Sequence, residues 1–521
     1  MIPLVIFGLF VLFTPTFQAS SSLIPLQTDF RSPRKIGFSA VGGGASHYHW
    51  VLSILQEMQQ RGHEATLYTR SDSIGFADGY PGIQTQTIGG DLNFLAVKNQ
   101  HIGPNTHLQH ETPNPARFIQ YLEFETIIKD KKIDLMLCDA FALACMDATV
   151  KSKIPLVVTA TFAYTPDTSN GYVNTFIPSF GHPTTETMSI WLRLRHHFYT
   201  WYIPFQVRRL HLPAHTFQKQ RGIPLTSSLY NPHTKSAFKL VNNMFGIEAS
   251  RPIGPLTELI GPIMRPHYPD LDATLADFLG RHQQVIYVAF GQHATPTAQD
   301  TVFLVRALTQ QLAQGTADGI LWATRPGHPV PEFVSFNASI LITGWAPQFA
   351  ILRHPSLALF ITHGGAASIH EGLFNKVPLF VYPYFGDQPV TARMVRRQQL
   401  GDSFDTAGMV YTEAKFGALC QRIHTVLTDP VIRQTVGRYG NALQVRSLGA
   451  VQRGADVLEE IVFGAVDNQI LHRIDVGDGI AWYKRTNLDL VAIILFGLAV
   501  VLATILKLFR LLTLVRKIKT L

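Results

Sequence analysis

Cysteine is scarce: the chain of 521 residues holds Cys138, Cys145 and Cys420 and no others. Three thiols build no disulfide framework, and their spacing matches no zinc site. They read as small buried hydrophobes, with one bridge permitted but not required. Charge is also thin, at 15% of residues against about 25% in ordinary soluble domains. Part of that deficit comes from two strongly apolar ends. The net charge is +8, from 44 Lys and Arg against 36 Asp and Glu, yet no basic run stands out before the C-terminus. A scattered excess is not the clustered footprint that nucleic acid requires, so nucleic-acid binding is excluded. No metal motif appears either.

The ends are where apolar residues collect. Ile2 to Phe13 is an uncharged run inside MIPLVIFGLFVLFTPTFQAS. That is signal-peptide length rather than a span, with a buried first strand as the alternative. Leu490 to Leu506 is a 17-residue uncharged run followed by Lys507 and Arg510. It is long enough to cross a thin bilayer, and the two long basic stems can snorkel. Arg510, Arg516, Lys517 and Lys519 then place the C-terminus on the cytoplasmic side, leaving everything before the span lumenal. The final KIKTL resembles a dilysine retrieval signal, and Asn337-Ala338-Ser339 is a glycosylation sequon.

Between the ends, short apolar runs alternate with helical spacing. Lys35–Ala40 reads as a strand, Val41–Gly44 as a glycine-rich loop, His49–Arg61 as a helix and Ala65–Thr69 as a second strand. Ile133–Cys138, Phe141–Lys151 and Ile154–Thr159 repeat the pattern. The stretch from Pro166 to Pro224 is rich in aromatics and His, with weaker periodicity. Pro252 to Pro269 holds five prolines and two glycines and reads as an extended linker. A second series follows: strand Val285–Phe290, helix Thr297–Gln311, strand Gly319–Thr324, strand Leu357–Thr362, helix Ala366–Phe374 and strand Val377–Val381. Two α/β halves with parallel sheets imply a ligand cleft between them.

The strongest local feature is Ile361–Gly372, ITHGGAASIHEG. A strand ends, two glycines turn the chain and a helix begins, which converges backbone N–H groups on one point and makes an anion site. The full stretch GWAPQFAILRHPSLALFITHGGAASIHEGLFNKVPLFVYPYFGDQ, Gly344 to Gln388, resembles the signature of the UDP-glycosyltransferase family. The likeness covers nearly the whole chain, including WYKRTNLDL at Trp482–Leu490, and is greatest to the membrane-anchored microsomal glucuronosyl- and glucosyltransferases.

That resemblance implies an α/β chain of two Rossmann-like domains (the GT-B arrangement) facing a central cleft, with a C-terminal transmembrane helix. The implied divisions are a signal peptide at 1–20, an acceptor-binding domain at 21–250, a linker at 251–280 and a UDP-sugar-binding domain at 281–440. Returning helices at 441–486, a transmembrane helix at 487–510 and a dilysine tail at 511–521 complete it. Trp345 would stack on uracil, and Gln348 would help hold the nucleoside. His363, Gly364, Gly365 and Ser368 would meet the diphosphate, with Gly291 facing them. Glu371 would accept from the ribose hydroxyls, and Asp387 with Gln388 would bind those of the sugar. Two positions depart from the commonest pattern: Gln292 stands where a serine is usual, and Ala367 where an asparagine is usual.

His47 in GASHYHW and Asp139 in LMLCDAFA match the family's His–Asp dyad, with His49 a rival to His47. A hydroxyl is a poor nucleophile, so a neutral histidine must take its proton, and a carboxylate on the other ring nitrogen fixes the tautomer. The resemblance thus implies inverting transfer of glucose or glucuronate from a UDP-sugar, a co-substrate rather than a cofactor, to a small lipophilic acceptor. The site is the lumenal side of the endoplasmic reticulum membrane, with homo-oligomerisation left open. Two other readings stand beside it: a non-catalytic lipid or sugar-nucleotide binder, and a transferase acting on a lipid-linked glycan.

Overall fold

The computed structural model describes residues 30–41, 44–89, 115–163, 184–195, 198, 212–223, 237–292, 294–326, 331–334, 337–466 and 469–519. The expected signal peptide and His293 lie outside them.

Two parallel sheets organise the chain. The first is seven-stranded: β1 (Lys35–Ser39), β2 (Glu64–Thr69), β3 (Gln84–Thr87), β4 (Leu135–Asp139), β5 (Leu156–Ala160), β6 (Phe238–Val241) and β7 (Thr257–Leu259), in the order 3-2-1-4-5-6-7. The second is six-stranded: β8 (Val285–Ala289), β9 (Gly319–Ala323), β10 (Ile340–Thr343), β11 (Leu357–Thr362), β12 (Leu379–Val381) and β13 (Gly401–Ser403), in the order 10-9-8-11-12-13. Strands β4, β5 and β8 are buried at every position. This is why they read as continuous apolar runs rather than alternating ones: helices cover both faces of a parallel sheet.

The helices of the first half are α1 (Ala45–Gln60), α2 (Pro115–Lys131), α3 (Leu143–Lys151) and α4 (Leu212–Gln220). The second half carries α5 (Ala273–Arg281), α6 (Ala298–Ala313), α7 (Gln348–Arg353), α8 (Ala366–Phe374), α9 (Gln388–Arg397), α10 (Glu413–Thr428) and α11 (Pro430–Leu448). Then come α12 (Ala450–Gly464), α13 (Trp482–Arg485) and α14 (Leu488–Lys519). Capping sets several starts. Asp272 accepts from Leu275 N–H at 2.8 Å ahead of α5, and Thr297 with Asp300 forms a capping box ahead of α6.

Two expectations change, one permitted bridge is present, and one helix outruns its expected span. Helix α1 begins at Ala45 rather than His49, because Gly44 enters it without a side-chain cap and the glycine run hides the start. Segment 251–280 is not all linker: β7 completes the first sheet, and Leu275, Phe278 and Leu279 of α5 are buried in the second core. Cys138 and Cys145 are joined in a disulfide, leaving Cys420 free and buried. The expected span at 487–510 coincides with the apolar stretch Leu488–Leu512, and the helix itself runs on to Lys519, because no proline follows Leu488. Its stretch Leu488–Leu512 has a mean hydropathy of 2.7 and buries nothing against the rest of the protein. At 1.5 Å per residue it is about 37 Å long, enough to cross a membrane.

Helix α12 returns to the first half. Ala455, Leu458 and Ile461 are fully buried in the same cluster as Ile54 and Leu55 of α1. Beside them Glu459 accepts from Arg31 at 2.7 and 3.0 Å and from Arg61 at 2.7 Å, with His63 Nε2 at 3.2 Å. Burial works against the Glu459 charge, but Arg31, His63 and Arg61 hold its carboxyl below the usual range.

Candidate active site

In both sheets the strand order reverses at one place, between β1 and β4 and between β8 and β11. Loops leaving the carboxyl ends of such a pair diverge and open a crevice. Of the sequence-predicted residues, His47, Asp139, Gly291, His363, Gly364 and Gly365 fall at these two crevices.

At the first, His47 lies in the opening turn of α1 and Asp139 ends β4. His47 Nδ1 and Asp139 Oδ2 are 2.8 Å apart, and the Asp139 side chain is almost wholly buried. The other oxygen, Oδ1, accepts from Phe141 N–H at 3.0 Å, so both ends of the carboxylate are fixed. Burial pulls the His47 pKa down, but the charge and hydrogen bond of Asp139, joined by the more distant Asp387, lift it above its ordinary value. His49, two residues on, faces elsewhere, as i and i+2 must on a helix. Its Nδ1 meets the Tyr80 hydroxyl at 3.2 Å. Burial and the charge of Arg265 push it down to about 4. The rivalry between the two histidines thus resolves on geometry: only His47 is paired with a carboxylate.

At the second crevice β11 ends in Thr362 and α8 begins at Ala366. Gly365 enters α8 with no side-chain cap, leaving the N–H groups of the first turn without a covering side chain. Two glycines wall the His363 ring. A Cβ at Gly291 would stand 2.5 Å from its Cε1, and one at Gly365 would stand 2.4 Å from its Nε2. Gly291 also has φ +69° and Gly364 φ +91°, backbone that side chains resist. The result is a notch lined by backbone and one imidazole.

The remaining predicted residues spread over the loop before α7, α7 and α8 themselves, and the start of α9. Gln348 Nε2 donates to Glu371 Oε2 at 2.8 Å and to Ser368 Oγ at 3.4 Å. Burial raises the Glu371 pKa, opposed by Gln348, by the charge of Arg265 and by Tyr268. Trp345 is 69% exposed, its ring open to a partner. Asp387 is pushed up to about 6 by burial, with the His47 charge opposing the rise. Gln388 is different: its Oε1 already accepts from Tyr384 N–H at 2.8 Å and Phe385 N–H at 3.1 Å, so that oxygen braces the loop.

A small cavity lies between the halves, lined by Ser46 and Trp50 of α1, Ala367 and Glu371 of α8, and Arg265 and Tyr268 of the connecting segment. The mutual influence of His47 and Asp387 likewise crosses from one half to the other.

The family model described as UDP-glucoronosyl and UDP-glucosyl transferase matches residues 114–519. The chain belongs to that family. It is a UDP-glycosyltransferase, transferring a glycosyl group from a UDP-sugar. A UDP-glycosyltransferase of Talaromyces amestolkiae is 26% identical over 427 residues, covering 73% of this chain and 77% of the relative. UDP-glucuronosyltransferase 3A2 of Mus musculus is 22% identical, covering 69% and 72%. Among solved structures, the glycotransferase of kitacinnamycin superposes with a TM-score of 0.63 at 18% identity, covering 83% of this chain and all of that one. A UDP-glucosyltransferase from Polygonum tinctorium gives 0.60 at 16%, covering 84% and 99%. These structures share the two-domain GT-B fold.

Sequence reasoning about this UDP-glycosyltransferase missed Arg265 and Tyr268. Tyr268 stacks on Phe349, next to Gln348, with ring centroids 3.9 Å apart. Arg265 N–H donates to the Tyr268 hydroxyl at 3.2 Å. The signal was an arginine and a tyrosine set among prolines, where a plain linker has no use for either.

Proposed function

We propose that this UDP-glycosyltransferase moves a hexosyl group, with inversion at C1, from its UDP-sugar to the hydroxyl of a small lipophilic acceptor. One observation carries the reading: His47 is hydrogen-bonded through Nδ1 to a carboxylate fixed at both ends, which leaves Nε2 as the proton acceptor. In the reaction Nε2 takes the hydroxyl proton while the oxygen bonds to C1, and the bond from C1 to the β-phosphate oxygen breaks. Asp139 stabilises the imidazolium that forms. The charge departing on UDP meets the N–H groups at the start of α8 and His363. A single base acting in one displacement inverts the anomeric centre. Trp345 stacks on uracil, Gln348 and Glu371 hold the nucleoside, and Asp387 receives the sugar hydroxyls. An assembled dyad favours catalysis over a binding-only role.

The electrostatics at the sugar end favour UDP-glucose over UDP-glucuronate. His47 feels the carboxylates of both Asp139 and Asp387 there, and a third carboxylate carried by the sugar adds repulsion. A screen of UDP-sugars with one promiscuous phenol, read as UDP release, tests this. UDP-glucose supports release that His47→Ala abolishes. Faster turnover with UDP-glucuronate rejects the donor assignment, and full activity in His47→Ala rejects the base.

Two features support a lumenal enzyme held by α14 in the endoplasmic reticulum membrane. The Cys138–Cys145 bridge suits an oxidising compartment, and the basic C-terminal residues suit the cytoplasmic side. In sealed microsomes, protease then removes a C-terminal epitope and spares both domains; digestion of the domains overturns the orientation.

A further inference from the structure

The disulfide lies at the proton-abstracting pair. Cys138 directly precedes Asp139 at the end of β4, and Cys145 sits in the first turn of α3, with their Cα atoms 5.9 Å apart. Both cysteines are fully buried. The bridge therefore closes a small ring whose other members are Asp139, the turn through Ala140, Phe141 and Ala142, and the first residues of α3.

The contacts that aim Asp139 are made within that ring. Phe141 N–H donates to Asp139 Oδ1 at 3.0 Å, and Ala142 N–H donates to the Asp139 carbonyl at 2.7 Å. The Phe141 ring stands beside the His47 imidazole, with centroids 5.3 Å apart. Yet Phe141 is 53% exposed, so burial of its side chain does little to hold the turn. Ala142 is buried and Ala140 N–H donates to the Thr159 carbonyl at 3.0 Å, so the two ends of the turn are anchored while its tip at Phe141 is not; the covalent link spans that tip and removes its open conformations.

We infer that the Cys138–Cys145 disulfide is a positioning element for the His47–Asp139 pair, holding the turn in the one shape that points Asp139 Oδ2 at His47 Nδ1. The inference rests on the dyad proposed above. Neither sulfur touches substrate; the bridge acts through Asp139.

The double variant Cys138→Ala/Cys145→Ala, made in the full-length membrane-bound chain, tests it. UDP affinity by calorimetry stays within about twofold, because the second crevice is untouched. The turnover rate with the UDP-sugar used by the wild type falls roughly tenfold, the scale of a small misalignment of reacting groups. The acid limb of the kcat/KM profile moves to lower pH, because a loosened Asp139 no longer lifts the His47 pKa. A brace with no role in catalysis shifts thermal stability but leaves the limb in place, and that result overturns the inference. If the double variant does not accumulate, Cys145→Ala alone leaves β4 unaltered and gives the same readouts. Alkylation of the denatured, unreduced wild type labels Cys420 only; labelling of all three cysteines shows there is no bridge and ends the proposal. Loss of activity in His47→Ala together with an unaffected cysteine variant separates failure of this inference from failure of the dyad.

Discussion

The two crevices are built on one backbone plan and filled with opposite kinds of residue. In the first half, the first turn of α1 and the last residue of β4 deliver side chains that titrate, His47 and Asp139. In the second, the loops after β8 and β11 deliver Gly291, Gly364 and Gly365, so that backbone and one imidazole line the notch. The plan fixes where a ligand sits; the residues decide the chemistry. Titratable side chains make a proton acceptor, and glycines bring amides within reach of phosphate oxygens.

Exchanging those properties breaks the comparison in measurable ways. Asp139→Asn has the largest expected effect. The base must be neutral to act, so kcat/KM falls as pH drops through the raised His47 pKa, above 6.5. Without that carboxylate burial, which acts downward, is opposed only by the more distant Asp387, so the acid limb moves to lower pH while the maximal rate drops roughly 10³-fold. UDP affinity is unchanged; a parallel loss of UDP binding denies the division of labour. Gly365→Ala attacks the other half. Its Cβ overlaps His363, so the donor KM rises about tenfold and stability falls by ~1–3 kcal/mol, measured by denaturant titration, with the pH profile unmoved. Trp345→Ala is the mildest. A base–aromatic stack is worth about 1–2 kcal/mol, so UDP affinity weakens roughly tenfold. Its ring is 69% exposed, so the melting temperature holds; an unchanged affinity removes uracil stacking from the site.

What was legible in the sequence follows from how local each feature is. Strand Leu357–Thr362 and helix Ala366–Phe374 have the expected ends, because an apolar run, a glycine turn and a helix start are all written within a few residues. The start of α1 was not legible, since glycine before a helix resembles glycine in a loop. Strand β7 was masked by prolines on either side, although Thr257–Leu259 itself contains none. The disulfide, the double use of the Gln388 oxygen and the meeting of Arg31, Arg61 and His63 at Glu459 depend on distances in space that spacing along the chain does not encode. The same holds for Arg265 and Tyr268, whose importance comes from the helix they face.

The return of α12 has a mechanical consequence. Beyond it the chain stays with the first half: Ile470 is buried in that core, and Arg473 reaches Glu258 and the Pro255 carbonyl. The last helix therefore departs from the lobe that carries His47, not from the lobe that carries the glycine notch. Were α14 to cross a bilayer, the lobe carrying His47 would be tethered to it directly, and the lobe carrying the glycine notch only through the first.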